Sequence, residues 1–313
     1  MRAKSDDKTF VELFEKYGGT ETARRIGTTE RNVFARRVRI ERRLGRALVS
    51  PRDQNAVKVG RGPHRVEISV TNGIVLVGSD AHIWPGPKST AMRAFIKFCK
   101  EYQPAAVILN GDVVDLPQVS RHPPIGWENH PTVQQEIEAA QNILHEIELA
   151  AFKARKVWTL GNHDQRYETR LASVAPEYAK LNGFHLKDFF PNWENGWSVQ
   201  INSDCIVKHR YKGGMGATRA NALNAGTSMI TGHLHSANVR GVTDYRGTRW
   251  GVDTGCLADP SHSAFVDYTE DAPLDWRSGF GFLTFRDGVL LQPELVLTHS
   301  EGVVDFRGQL HEV

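Results

Sequence analysis

Ile74-Val75-Leu76-Val77-Gly78-Ser79-Asp80-Ala81-His82 is a continuous apolar run that breaks off in a carboxylate and an imidazole. The same construction returns twice. Ala105 to Leu109 runs into Gly111-Asp112-Val113-Val114-Asp115, and Lys156 to Leu160 runs into Gly161-Asn162-His163-Asp164. Short apolar runs without alternation read as strands buried on both faces. Between them lie two longer stretches of helical character, about Ser89 to Tyr102 and about Thr132 to Lys153. Buried strands alternating with helices predict an α/β body. Ligands in open sheets of this kind bind beyond the carboxyl ends of the strands. The three polar clusters are therefore expected to converge on one sheet edge.

The flanks of this core read differently. Val66 to Val70 alternates like a half-buried strand, and Asn72-Gly73 behind it signals a hairpin turn. After Pro191 the chain is strand-rich, with candidates at Trp197–Ile201, Cys205–His209, Ser228–Ile230, Ala237–Thr243, Arg249–Asp253, Gly281–Phe285 and Val289–Leu297. Two more polar clusters sit among them: His209 after an apolar run, and Gly232-His233-Leu234-His235 after Ser228-Met229-Ile230. In an extended segment His233 and His235 share a face. Asp, His and Asn together suit Mn²⁺, Fe or Zn²⁺. The glycines before Asp112 and Asn162 are expected to permit sharp turns at the strand ends.

The blocks DAH, GDVVD, GNHD, a lone later histidine and GHLH stand in the order of the calcineurin-like metallophosphoesterase family, which residues 70–290 resemble. The resemblance implies a four-layer β-sandwich flanked by helices. It also implies a centre of two divalent ions, Mn²⁺ first among the options. Asp80, His82 and His235 would hold one ion; Asn162, His209 and His233 would hold the other; Asp112 would bridge them. Two such ions, about 3.5–4 Å apart, share a hydroxide that attacks phosphorus. His163 would hydrogen-bond the phosphoryl group or protonate the leaving oxygen, oriented by Asp115, with Asp164 as the alternative orienting group. Protein phosphatases of the family carry GDxVDRG and GNHE, whereas this chain has Leu116 and Asp164 at those places. That departure points to the phosphodiesterase and nuclease branches. The insert Leu116–Thr132, with Arg121, His122, Trp127 and His130, reads equally as a substrate-contacting flap or a surface loop. Arg166 and Arg170, soon after GNHD, read equally as contacts to substrate phosphates or as a solvated helix face.

Charge is unevenly spread along the 313 residues. Residues 1–65 carry 17 Lys+Arg against 8 Asp+Glu, and the remainder carries 22 against 28. A basic arm on an acidic body points to a polyanionic partner. Within the arm, residues 8–46 read as three short helices broken by Gly18-Gly19 and Gly27, the last beginning at Glu30. This pattern resembles a helix-turn-helix unit, with Arg31, Arg36, Arg37 and Arg39 as candidate DNA contacts. A basic hairpin used for packing or oligomerisation fits the same residues. The expected division is a helical unit over 1–48, a Pro- and Gly-marked linker over 49–65, and the metallophosphoesterase body over 66–313. Cys99, Cys205 and Cys256 are widely spaced and odd in number, which speaks against a disulfide framework. Neither a membrane span nor a secretory signal is evident, so a cytoplasmic setting is expected, that of the host cell if the chain is phage-encoded.

The sequence-based reading is thus a metal-dependent phosphodiesterase acting on nucleic acid, DNA first. A small-molecule phosphodiesterase or phosphomonoesterase is the alternative enzyme. A DNA-binding regulator with a vestigial catalytic body is the alternative outside catalysis.

Overall fold

The computed structural model describes residues 6–44, 48, 50, 64–122, 130–261, 265 and 274–313. The chain divides into a unit over Met1–Pro63 and a unit over His64–Val313. Of the expected linker, all but Ser50 and residues 64 and 65 lies outside the described residues.

The first unit pairs α1 (Asp7–Ile26) with α2 (Glu30–Leu44). Asp6 caps α1 by accepting a hydrogen bond from Thr9 N at 2.7 Å. Gly18 interrupts the helix with φ 78°, and Gly27 ends it in the left-handed conformation. Phe10, Phe14, Ala23, Val33, Ile40 and Leu48 form its small core.

The second unit contains two sheets. In the nine-stranded sheet, the central strands β2 (Gly73–Gly78), β3 (Ala106–Asn110) and β4 (Arg155–Thr159) run parallel. The sheet ends at β5 (Glu194–Gly196) on one side. On the other it continues through antiparallel β11 (Gly279–Arg286), β13 (Glu294–Ser300), β14 (Val303–Phe306) and β15 (Gln309–Glu312), with β12 (Val289–Leu290) beside β11. The six-stranded sheet runs β1 (Arg65–Ile68), β6 (Ser198–Ile201), β7 (Cys205–Val207), β8 (Ser228–Thr231), β10 (Gly247–Asp253), β9 (Asn238–Asp244). Val75, Val77, Ile108, Val199, Ile230 and Leu283 belong to the core between the sheets. The outer face of the larger sheet buries Leu76, Leu109 and Trp158 with α3 (Thr90–Tyr102) and α4 (Val133–Ala150), through Phe95, Phe98 and Leu144. A further helix, α6 (Ala217–Ala225), lies on β8, β9 and β10, completing four layers. The α5 helix (Asp164–Val174) follows β4.

Several local expectations needed correction. β1 and β2 do not form a hairpin. β1 pairs with β6 in one sheet and β2 with β3 and β11 in the other, so Asn72-Gly73 carries the chain between sheets. There the Asn72 side chain accepts from Asp287 N at 3.0 Å. Val289–Leu297 is two strands rather than one, because Leu291 to Pro293 separates β12 from β13. The helices at 90–102 and 133–150 begin after caps from Ser89 and Thr132. Among the described residues no helix is long and apolar enough to cross a membrane, and all three cysteines are buried free thiols.

Candidate metal centre

The ends of β2 and β3 stay in register beyond the sheet. Asp80 N donates to Gly111 O at 2.9 Å and His82 N to Asp112 O at 3.0 Å. This brings the DAH and GDVVD segments side by side. Asp164 ties in the third segment. Its carboxylate accepts from Asp112 N, Val113 N and Gly161 N at 2.7–2.9 Å, and from Trp158 Nε1 at 3.0 Å. Asp164 is therefore a clamp on two strand ends and does not orient His163. Its burial, next to the Asp112 charge, pushes its carboxyl up to about 6.

Among the described residues three groups of donor atoms result, one of them His82, Asp115 and His163. Asp80, His82 and His235 offer ligand atoms within 4.8 Å of one another, and so do Asp112, His209 and His233. Asn162 follows Gly161 and lines the same cavity as His209. Five of the seven expected ligands, Asp80, His82, Asp112, His233 and His235, have φ between 41° and 72°. Non-glycine residues seldom adopt that conformation, and strain of this kind gathers at functional sites. It also corrects the extended reading of GHLH. His233 and His235 point as they do because both are left-handed, not because they alternate along a strand.

The glycines make room. A Cβ on Gly111 would lie 2.4 Å from the His209 ring, and one on Gly161 would lie 2.1 Å from Asp112 Oδ1. Gly111 also needs its positive φ of 80°. Gly161 does not, so its role is clearance for Asp112 rather than a sharp turn.

Orientation of the imidazoles suits metal ligation. His209 donates Nδ1–H to Asn110 O at 2.8 Å, and His82 Nδ1 lies 3.2 Å from Asp115 Oδ1, which leaves each Nε2 facing the site. Asp80 Oδ1, His82 Nε2, Asn162 Oδ1 and His209 Nε2 are buried without a hydrogen-bond partner. His235 Nε2 comes within 3.0 Å of Asp80 Oδ1, and His209 Nε2 within 3.1 Å of Asp112 Oδ2. Buried polar atoms are rarely left unpaired in folded chains. Orphaned oxygens and nitrogens converging on the same small spaces fit divalent cations. The field is of the right sign too. Burial disfavours a charged His209, yet Asp80 and Asp112 push its pKa up to about 10. Carboxylates that hold a proton so firmly also attract a cation.

His163 stands beside this centre. Its Nδ1 hydrogen-bonds Asp115 Oδ1, and its backbone N–H donates to Asp112 Oδ1 at 2.8 Å. Burial opposes charging the ring, but the Asp115 hydrogen bond and the Asp112 charge raise its pKa above the ordinary value. Arg166 donates to Asp115 O at 2.7 Å and approaches His163 Nε2 at 3.3 Å. It thus buttresses the pair as well as facing the cavity it lines. In the first unit, Arg36 pairs with Asp7 at 2.6 Å and lies over the Phe10 ring. Arg37 pairs with Glu41 at 2.8 Å and lies over Phe14. These two arginines hold the helices together, which corrects the expectation of four parallel contacts. Arg31 and Arg39 are exposed.

Three participants escaped the sequence reading. Glu136 on α4 accepts from Leu116 N at 2.8 Å and Asp115 N at 3.2 Å, fixing the loop that carries Asp115. Phe265 packs edge-on against His82 and Trp276 against His235, at 5.3 and 4.3 Å between ring centres. Glu136 lies in a stretch read as helical, but nothing there marks it as reaching the Asp115 loop, and Phe265 and Trp276 stand outside any predicted element. Trp127 lies outside the described residues.

A protein-family model for calcineurin-like phosphoesterases matches residues 74–243. The chain belongs to that family. The Gene 54 proteins of Mycobacterium phages D29 and L5 are each 30% identical to this member, over 256 and 254 residues. Both alignments cover 71% of this chain and 92% of the phage protein. A solved dimetal phosphatase from Danio rerio is 9% identical, with a TM-score of 0.34 over 73% of this chain and 96% of that one. This calcineurin-like phosphoesterase carries candidate metal-ligand clusters where its strands end, and it is a metal-dependent phosphoesterase.

Proposed function

We propose that the chain is a Mn²⁺-dependent phosphodiesterase that hydrolyses nucleic acid, DNA foremost. The observation that carries this reading is the His163–Asp115 pair set directly beside the two donor groups, Asp80–His82–His235 and Asp112–His209–His233. Bound divalent ions supply a nucleophile from water at neutral pH and offset charge on the phosphoryl oxygens. Asp80, His82 and His235 would hold one ion, and Asn162, His209 and His233 the other, with Asp112 between them. His163, held protonated by Asp115, delivers a proton to the departing oxygen. A sugar alkoxide is a poor leaving group and needs that proton. The exposed Arg31, Arg39 and Arg42 on α2 support a DNA-contacting role for the first unit.

The test is a Mn²⁺-dependent assay on single- and double-stranded DNA beside an aryl phosphodiester and an aryl phosphomonoester. Hydrolysis of DNA and of the aryl diester, with slower turnover of the monoester, is expected. Preference for the monoester, with DNA left intact, would overturn the reading.

A further inference from the structure

We propose that the cavity on the Asn162–His209 side of the centre is a track for a single-stranded nucleic-acid chain several nucleotides long. The proposal rests on the phosphodiesterase reading and names the form in which its substrate is bound.

The cavity, about 760 Å³, opens onto Asn162 and His209. Arg121, Arg166, Arg170, Lys208 and Arg210 line it, and among the described residues no Asp or Glu does. That departs from the surrounding composition, because residues 66–313 carry more acid than base. Elsewhere on this unit several surface arginines are paired with carboxylates, as Arg155 is with Glu194 and Arg307 with Glu294, and what sets the cavity apart is that its cations are gathered in one place. Among the described residues, Arg170, Lys208 and Arg210 have no ion-pair partner, and Arg166 alone of the five has one, Asp115. Five cations lining one cavity that reaches the phosphoester centre, all but Arg166 without an ion-pair partner among the described residues, match a repeating anion rather than a single phosphate.

Two aromatic side chains share the lining. Trp197 is 44% exposed and Tyr211 45% exposed. Large aromatics left in water beside cations are the usual platform for stacking unpaired bases, and that surface is available only when the strand is single. The cavity on the opposite, His82 side differs. It is lined by Asp259 and Glu301, and its cations Lys88 and Arg93 are neutralised by Glu146 and Glu301. The chain therefore runs out from the centre past Asn162 and not past His82.

The test uses the full chain with Mn²⁺ and oligothymidylates from two to twelve nucleotides. KM is expected to fall at least tenfold from the dinucleotide to the octamer and then to level off. The double variant Arg170→Glu/Arg210→Glu should lose that gain while its thermal melting midpoint stays at the wild-type value. Trp197→Ala/Tyr211→Ala should lose part of it. A KM independent of length would overturn the proposal. So would a length gain that survives in Arg170→Glu/Arg210→Glu but disappears in Arg31→Glu/Arg39→Glu, since the first unit would then be the binding element. Hydrolysis of an aryl phosphodiester without any length effect defeats the track alone. Failure to hydrolyse that diester as well defeats the phosphodiesterase reading, and the track with it.

Discussion

At the scale of single residues, the chemistry turns on one proton. Burial weakens a charged His163, but the Asp115 carboxylate hydrogen-bonded to Nδ1 and the Asp112 charge together outweigh it, so the ring keeps its proton to higher pH than a free histidine. A general acid matters in proportion to how badly the leaving group departs. His163→Gln is therefore expected to slow DNA hydrolysis by about 100-fold or more, within the usual range for such groups. Hydrolysis of a nitrophenyl diester, whose leaving group departs unaided, should fall far less. Equal losses on both substrates would show that His163 serves binding instead. The wild-type rate on DNA should also decline as pH rises through the raised His163 pKa, and that alkaline limb should vanish in the variant.

At the scale of elements, strand ends decide where the site stands, and the loops after them need pinning. Glu136 does this for the segment after β3. It is fully buried by its neighbours, with one carboxylate oxygen on the Asp115 and Leu116 amides and the other without a partner. Burial pushes its carboxyl from the ordinary 4.5 up to about 8. The folded chain then holds a proton that the unfolded chain releases, so stability drains as pH rises between those two values. Glu136→Gln keeps an acceptor for both amides and removes the titration. Thermal melting from pH 5 to 8 should therefore fall less steeply in the variant. Asp164 and Asp253, pushed up to about 6 and 7 by burial, act in the same direction and remain, so the slope should shrink without disappearing. Parallel pH profiles would contradict this.

The same scale explains what could be read from the sequence. β2, β3 and β4 were legible because strands buried on both faces leave an unbroken apolar run, and the polar residues at their ends follow at once. The partner of a strand is not written in its own pattern, which is why β1 and β2 looked like a hairpin. α6 was invisible for another reason. It is built from Ala217, Thr218, Ala220 and Ala222, lying so close to β10 that a Cβ on Gly251 would meet Thr218 O at 1.9 Å. A helix that packs by smallness has no bulky apolar stripe to betray it. The His233 and His235 placement depended on left-handed backbone, which residue type does not announce outside glycine and asparagine.

At the scale of the whole molecule, the chain combines a basic helical unit with a metal-binding body of opposite net charge. The charge asymmetry was visible from composition. Which arginines face outward was not, because Arg36 and Arg37 turn to Asp7 and Glu41 and stack on phenylalanines. Everything proposed for the substrate depends on the body holding a pair of ions. The most direct measurement is the metal content of the purified full chain after removal of metal and reloading with Mn²⁺, read together with hydrolysis of an aryl phosphodiester. Two ions per chain are predicted, with hydrolysis appearing only as the second site fills and lost in Asn162→Ala as the stoichiometry drops to one. A chain that hydrolyses the diester fully with one ion or none, or that binds no Mn²⁺ at all, would contradict the account.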